Sequence, residues 1–86
     1  MAKLSYEELE LQLGNARKQV VPGSNWQHYK GGQYTITNIV VQEEDNKLAV
    51  VYTPIMHPDV SFVRPLAVWN DPVEWEGVSS TRFFEI

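Results

Sequence analysis

The chain has no cysteine. That removes disulfide staples, thiolate zinc sites and a thiol nucleophile together, and leaves the redox compartment unread. Histidine is scarce as well: His28 and His57 are the only imidazoles. A zinc site would have to recruit carboxylates such as Asp59 or Glu44, and no recognisable ligand spacing joins them. No serine stands in a G-x-S-x-G turn, so a hydrolytic triad has no obvious nucleophile. Glu74 and Glu76 could pair as acids, but two glutamates beside a turn read more simply as a solvated face. The expectation is a protein that is not an enzyme, without metal or cofactor.

Long apolar runs are missing too, with none near the roughly 20 residues of a membrane span. No basic stretch precedes an apolar one at the start, so a secretory leader is not expected and the cytosol is the simplest address. Positive charge is thin and scattered over Lys3, Arg17, Lys18, Lys30, Lys47, Arg64 and Arg82, for a net charge of −4. Duplex nucleic acid is held by a clustered basic face, so it is a poor partner for this chain. A small anion gripped by one or two arginines survives that test, because it needs only local positive charge.

What is present amounts to one small domain of 86 residues. A chain of this size buries only about 60% of its unfolded surface, so a second copy completing the core is a reasonable expectation. Residues 1–21 read as a helical segment. Ser5 and Glu8 form an S-x-x-E capping box, with Leu4 and Leu9 placed as a hydrophobic staple. Glu7, Glu8 and Glu10 sit at the positive end of the helix dipole, and Arg17 and Lys18 at the negative end. Tyr6, Leu9, Leu13, Ala16 and Val20 alternate by three and four into one apolar stripe. That stripe either packs on its own domain or forms a seam between copies through Tyr6, Leu9, Leu13 and Val20. Pro22-Gly23 ends the element.

Residues 22–86 carry strand periodicity. Gln33 to Val41 and Lys47 to Thr53 are two β-rich runs around the polar turn Glu43-Glu44-Asp45-Asn46. Tyr34 and Ile36 lie on one phase, Ile39 and Val41 on the other, which predicts a bulge near Asn38 or a strand buried on both faces. Val60 to Arg64 reads as a third strand ended by Pro65, and Leu66 to Asn70 as a single helical turn. Val73 to Trp75 and Thr81 to Ile86 read as a pair around Glu76-Gly77. The expected fold is therefore α+β: one N-terminal helix, then a small curled antiparallel sheet of about five strands, like an SH3-type barrel.

Two segments concentrate chemistry. Trp26-Gln27-His28-Tyr29-Lys30-Gly31-Gly32-Gln33-Tyr34 packs aromatics, a histidine and a lysine around a Gly-Gly turn. Phe62-Val63-Arg64-Pro65-Leu66 places an arginine on a β-rich stretch. A half-buried guanidinium requires an acceptor. For Arg64 that is either a carboxylate (Asp59, Asp71 or Glu85) or a ligand anion. Lys30 before Gly31-Gly32 could cradle phosphate, though Lys-Gly-Gly also makes a plain hairpin. His28 reads either as a strand histidine bonded to backbone or as a ligand contact. Trp26, Tyr29, Tyr34, Tyr52 and Trp69 are core candidates, one or two of which could stack on a base.

The motifs His28-Tyr29-Lys30-Gly31-Gly32-Gln33-Tyr34, Val50-Val51-Tyr52, Val63-Arg64-Pro65-Leu66 and Arg82-Phe83-Phe84-Glu85-Ile86 together resemble a bacterial and phage family known as domain of unknown function 1653. Its pattern runs H-Y-K-G-x-x-Y, V-V-Y, V-R-P-L, R-F-x-x-I. The likeness spans roughly residues 22 to 86, leaves the N-terminal helix outside, and implies a β-rich fold with no activity attached. A looser analogy of size and site chemistry connects the chain to phage proteins that sequester nucleotide signals of bacterial immunity. A phage-infected host cytosol is then as good an address as a bacterial one.

The resulting expectation is a binding or sequestering protein for a small anionic, nucleotide-like molecule, working as a homo-oligomer. Its candidate contacts are Arg64, Trp26, His28, Tyr29, Lys30, Tyr34, Tyr52 and Trp69. The rival is an interaction module that holds an extended peptide on exposed aromatics. Arg64 and Lys30 converging with aromatics on a closed pocket would favour the small molecule. An open aromatic groove without basic residues would favour the peptide.

Overall fold

The computed structural model describes residues 4–86; residues 1–3, Lys3 among them, lie outside it. Helix α1 runs Tyr6–Gln19 and begins as its capping box requires, with the Ser5 hydroxyl accepting the Glu8 amide at 3.2 Å. Its C-terminal cap is Val20, whose N–H returns to the Ala16 carbonyl. The two halves of the stripe have different fates. Ala16 and Val20 are buried in the core of their own chain, and Leu13 packs against it. Leu9 is half-buried, while Tyr6, one turn from the start, is 83% exposed. Val20 therefore packs in cis and is occupied before any second copy arrives.

Seven strands follow: β1 (Asn25–His28), β2 (Gln33–Val41), β3 (Leu48–Pro54), β4 (Phe62–Pro65), β5 (Pro72–Trp75), β6 (Val78–Thr81) and β7 (Phe83–Glu85). A 3-10 turn, Leu66–Val68, separates β4 from β5. The main sheet is antiparallel in the order β4-β3-β2-β1-β7, and β5-β6 form a separate two-stranded ladder. The α+β class and the five-stranded sheet agree with the sequence reading. The sheet is curled but open, because its end strands β4 and β7 do not pair.

Two strand assignments need correction. The segment before Gly31-Gly32 is itself a strand, β1, paired to β2 through Trp26 and Tyr34. The turn at Glu76-Gly77 joins Trp75 to Val78, so β5 pairs with β6 instead of with Thr81 to Ile86. The chain then crosses at Arg82 and adds β7 to the free edge of β1, with His28 opposite Phe83.

The phase slip in β2 has a definite cause. Ile36 pairs with Tyr52 and Asn38 with Val51, which leaves Thr37 as the extra residue of a β-bulge. The bulge turns the strand so that Ile36 and Ile39, three apart, both reach the core, where each is fully buried. The core collects Trp26, Ile36, Ile39, Val50, Trp69 and Phe83 on one sheet face, under α1 and the 3-10 turn. The opposite face carries a hydroxyl chain from Thr37 through Thr53 to Ser61, the polar side expected of alternation.

Candidate ligand-binding site

β1 and β2 meet in a tight turn. The His28 amide donates to the Gly32 carbonyl at 2.7 Å and the Gly31 amide to the His28 carbonyl at 2.8 Å. Gly31 takes φ +110°, a conformation side chains rarely adopt. Gly32 matters for a different reason: a Cβ there would lie 2.9 Å from the Tyr34 hydroxyl and would push that ring aside. The Gly-Gly pair thus lets the Tyr34 ring fold back along its own hairpin. It is a hairpin device, and the backbone amides of Gly31 and His28 are used within the turn.

The rings join into one aggregate. Trp69 and Phe83 stack at 4.0 Å with an interplanar angle of 4°. Tyr52 meets Trp69 edge-on at 5.1 Å, Tyr34 at 5.2 Å and Phe83 at 5.6 Å. His28 meets Phe83 edge-on at 5.1 Å and lies 4.4 Å from Tyr29, which in turn meets Trp75 at 5.7 Å. Such contacts add about 0.5–1.5 kcal/mol each beyond area burial. Trp26 and Trp69 are sealed inside, so they support the wall without reaching a ligand. His28, Tyr29, Tyr34 and Tyr52 are half-exposed and form its surface.

Two cations stand over these rings, and the charge of a third, Arg64, acts on His28 and Tyr52. Lys30 Nζ lies 5.7 Å from the Tyr29 ring centroid and 5.3 Å from that of Trp75. The Arg82 guanidinium lies 5.7 Å from Tyr29 on the same hairpin end; such contacts are worth about 0.5–1 kcal/mol when exposed. Arg82 Nε is buried with no hydrogen-bond partner, as is Trp69 Nε1. Arg64 comes from β4 and donates Nε to the Val68 carbonyl at 2.9 Å, which ties the 3-10 turn to the sheet. The acceptor that this guanidinium finds within the chain is thus a backbone carbonyl, in place of the Asp59, Asp71 or Glu85 carboxylate that the sequence offered.

The electrostatics follow from that arrangement. Burial lowers the His28 pKa from its ordinary value of 6.5, and the charges of Arg82, Lys30 and Arg64 lower it further. Its Nδ1 accepts the Lys30 amide at 3.1 Å, so this nitrogen carries no proton and the ring is neutral at pH 7. Burial, with the neighbouring Tyr34, raises the Tyr52 pKa, while Arg64 and Arg82 partly oppose the rise. Both groups feel the charges of Arg64 and Arg82.

The structure brings His28, Tyr29, Lys30, Tyr34 and Tyr52 to one aromatic strip, puts Trp26 and Trp69 beneath it, and ties Arg64 to the Val68 carbonyl. Sequence reasoning missed Arg82 and Trp75 as site residues, and Phe83 as the buried ring that backs them. Arg82 and Phe83 lie in the R-F-x-x-I motif, which was a usable signal; Trp75 carried none. His57 stands apart on an exposed loop, and the described residues hold no cluster of three or more His, Asp or Glu able to bind a metal. No described helix is long and apolar enough to cross a membrane.

Neither Arg64 nor Lys30 lines the larger clefts. One of about 500 Å³, bounded by Gly31, Gly32, Gln33, Tyr34, Pro54, Ile55, Met56, His57 and Phe62, lies beside the strip and has no Lys or Arg. Another, of about 670 Å³, lies between the start of α1 and the β2–β3 turn.

Comparison with known proteins agrees with this architecture. A family model described as protein of unknown function, DUF1653, matches residues 24–85. The crystal structure of a DUF1653 protein from Bordetella bronchiseptica is similar at 28% sequence identity and a TM-score of 0.65, over 76% of this chain and 86% of that one. No curated protein matches. The shared part begins at β1 and takes in every strand and every residue of the aromatic strip, and on that match the chain belongs to the DUF1653 family.

Proposed function

We propose that this domain is a non-catalytic binding module that captures a small, planar, anionic molecule of nucleotide type. Its mode of action is sequestration, with the protein working as a homo-oligomer in the cytosol of a bacterium or of a phage-infected host. The observation that supports the reading is the pair of cations, Lys30 and Arg82, over the half-exposed Tyr29 ring, with the Arg82 Nε buried and unpartnered and the Arg64 charge acting on His28 and Tyr52. Charge-assisted bonds from such donors are about twice as strong as neutral ones. Tyr29, Tyr34 and Tyr52 supply ring faces or edges for a base, and neutral His28 gains a proton more readily once an anion offsets its neighbours.

The test is mass spectrometry of small molecules released when the protein, purified from a lysate rich in nucleotide signals, is denatured. A retained anion that is absent from the folded Arg82→Ala variant supports the proposal. Release of no anion, or equal retention by that variant, overturns it. The second reading, an extended peptide, is the one the pocket criterion favours, because the open cleft beside Tyr34 and Phe62 holds neither Arg64 nor Lys30. That cleft is apolar, it lacks Lys and Arg, and its Met56 is 82% exposed. Backbone-directed capture of a Pro-rich or β-rich segment would suit it.

A further inference from the structure

The cleft between α1 and the β2–β3 turn lies outside the region shared with the family on its helix side, because α1 precedes residue 24. Its walls are Leu4, Tyr6, Leu9 and Leu13 from the helix side and Val41 from β2, with Glu10 and Glu43 on its rim. Leu4 and Asn46 hold it open as a built feature: the Leu4 amide donates to Asn46 Oδ1 at 3.0 Å and ties the helix start to the turn. Asn46 has φ 58°, which an asparagine tolerates in a tight turn. The cleft is therefore preformed and apolar at its base. Tyr6 stands at its mouth with most of its ring in water.

Charge decides what fits. Glu10 and Glu43 line the cleft, with Glu7 one turn before Glu10 and Glu44-Asp45 next along the turn, and no Lys or Arg among the described residues lines it. A two-fold contact between copies of this face would set acid against acid. An apolar helix face flanked by lysines or arginines matches both the floor and the rim, in the helix-in-groove mode. From Tyr6 to Leu13 the helix wall is about 10 Å long at 1.5 Å per residue, enough for about two turns of a docked helix.

We infer that this cleft is a docking site for a basic amphipathic helix of a partner protein, separate from the aromatic strip. The probe is a fluorescein-labelled 14-residue Leu/Lys helix with leucines three and four apart; its Leu/Glu counterpart serves as control. The Leu/Lys peptide should bind saturably, shift the amide resonances of Leu4, Tyr6, Leu9, Leu13 and Val41, and weaken at high salt. The Glu10→Lys, Glu43→Lys double variant, altered only at rim positions, should bind it at least tenfold more weakly while keeping its melting temperature. Tyr6→Ser should weaken it by a smaller factor. The inference is overturned by equal binding of both peptides, by shifts mapping elsewhere, by unchanged affinity in the double variant, or by cleft resonances that move with protein concentration alone, which would make the occupant a second copy.

Discussion

At the Gln33 end of β2, Lys30 and Arg82 stand over Tyr29 and Trp75 beside a neutral histidine. At the Val41 end, Glu43-Glu44-Asp45 turns the chain back beside the acidic start of α1. The two lie at opposite ends of one nine-residue strand, at most about 26 Å apart at 3.3 Å per residue. The first end is built on stacked rings with buried faces, and its charges are guests on that wall. The second joins a capped helix start to a turn closed by the Gln42, Asn46 and Lys47 amides and by the Leu4 bond to Asn46, with Leu9, Leu13 and Val41 half in water. The aromatic part of the core therefore lies at the first end, while near the second the core is aliphatic, with Ile39, Ala49 and Val50 fully buried.

The strongest test of that division is Phe83→Ala. Phe83 is stacked on Trp69 and edges His28, Tyr34 and Tyr52, so its loss should cost about 3–5 kcal/mol, read as a shifted midpoint in urea unfolding. Next comes Arg64→Ala, which removes the bond to the Val68 carbonyl and should cost about 1–2 kcal/mol. Arg64→Lys keeps the charge without the fork and should fall between wild type and alanine. An alanine variant of wild-type stability would place Arg64 among ligand contacts only.

At the other end, Ser5→Ala removes the helix cap and should cost about 1 kcal/mol while sparing the aromatic near-ultraviolet dichroism. The smallest effect is pH-dependent and returns to the first end. The folded His28 pKa lies below 6.5, so the unfolded chain binds more protons in that window. Stability should be full above 6.5 and fall as pH drops through the folded value. Melting temperatures of His28→Gln should show a flatter slope below pH 6.5; parallel slopes would sink the assignment.

Much of this was legible because it is local. Ser5 with Glu8 marks the helix start within one turn of chain, and the switch of phase between Ile36 and Ile39 locates the bulge to within a residue of Thr37. The pairing of β1 with β7 was not legible. It joins Trp26 to Glu85 across most of the chain, and nothing in a four-residue strand announces its partner. The misassigned hairpin has the same origin: Val78 to Thr81 is polar and poor in pattern, while Phe83-Phe84 advertises a strand that belongs to the other sheet. For the site, residue types pointed to the right strip. What they could not give was burial, which withdrew Trp26 and Trp69 and brought forward Arg82.

The small ladder of β5 and β6 has no buried residue on either strand. At its base it is attached by the Arg82 amide to the Asp71 carbonyl and the Phe83 amide to the Asn70 side chain, and along its length by the Trp75 ring against Tyr29. A unit held in this way opens at a free energy below that of global unfolding. Its amides should exchange with deuterium ahead of those of β2 and β3. Each opening also lifts Trp75 from Tyr29 and leaves Lys30 with one ring in place of two, so the exchange rate of Val73 to Ser80 would time how often the cationic end is uncovered.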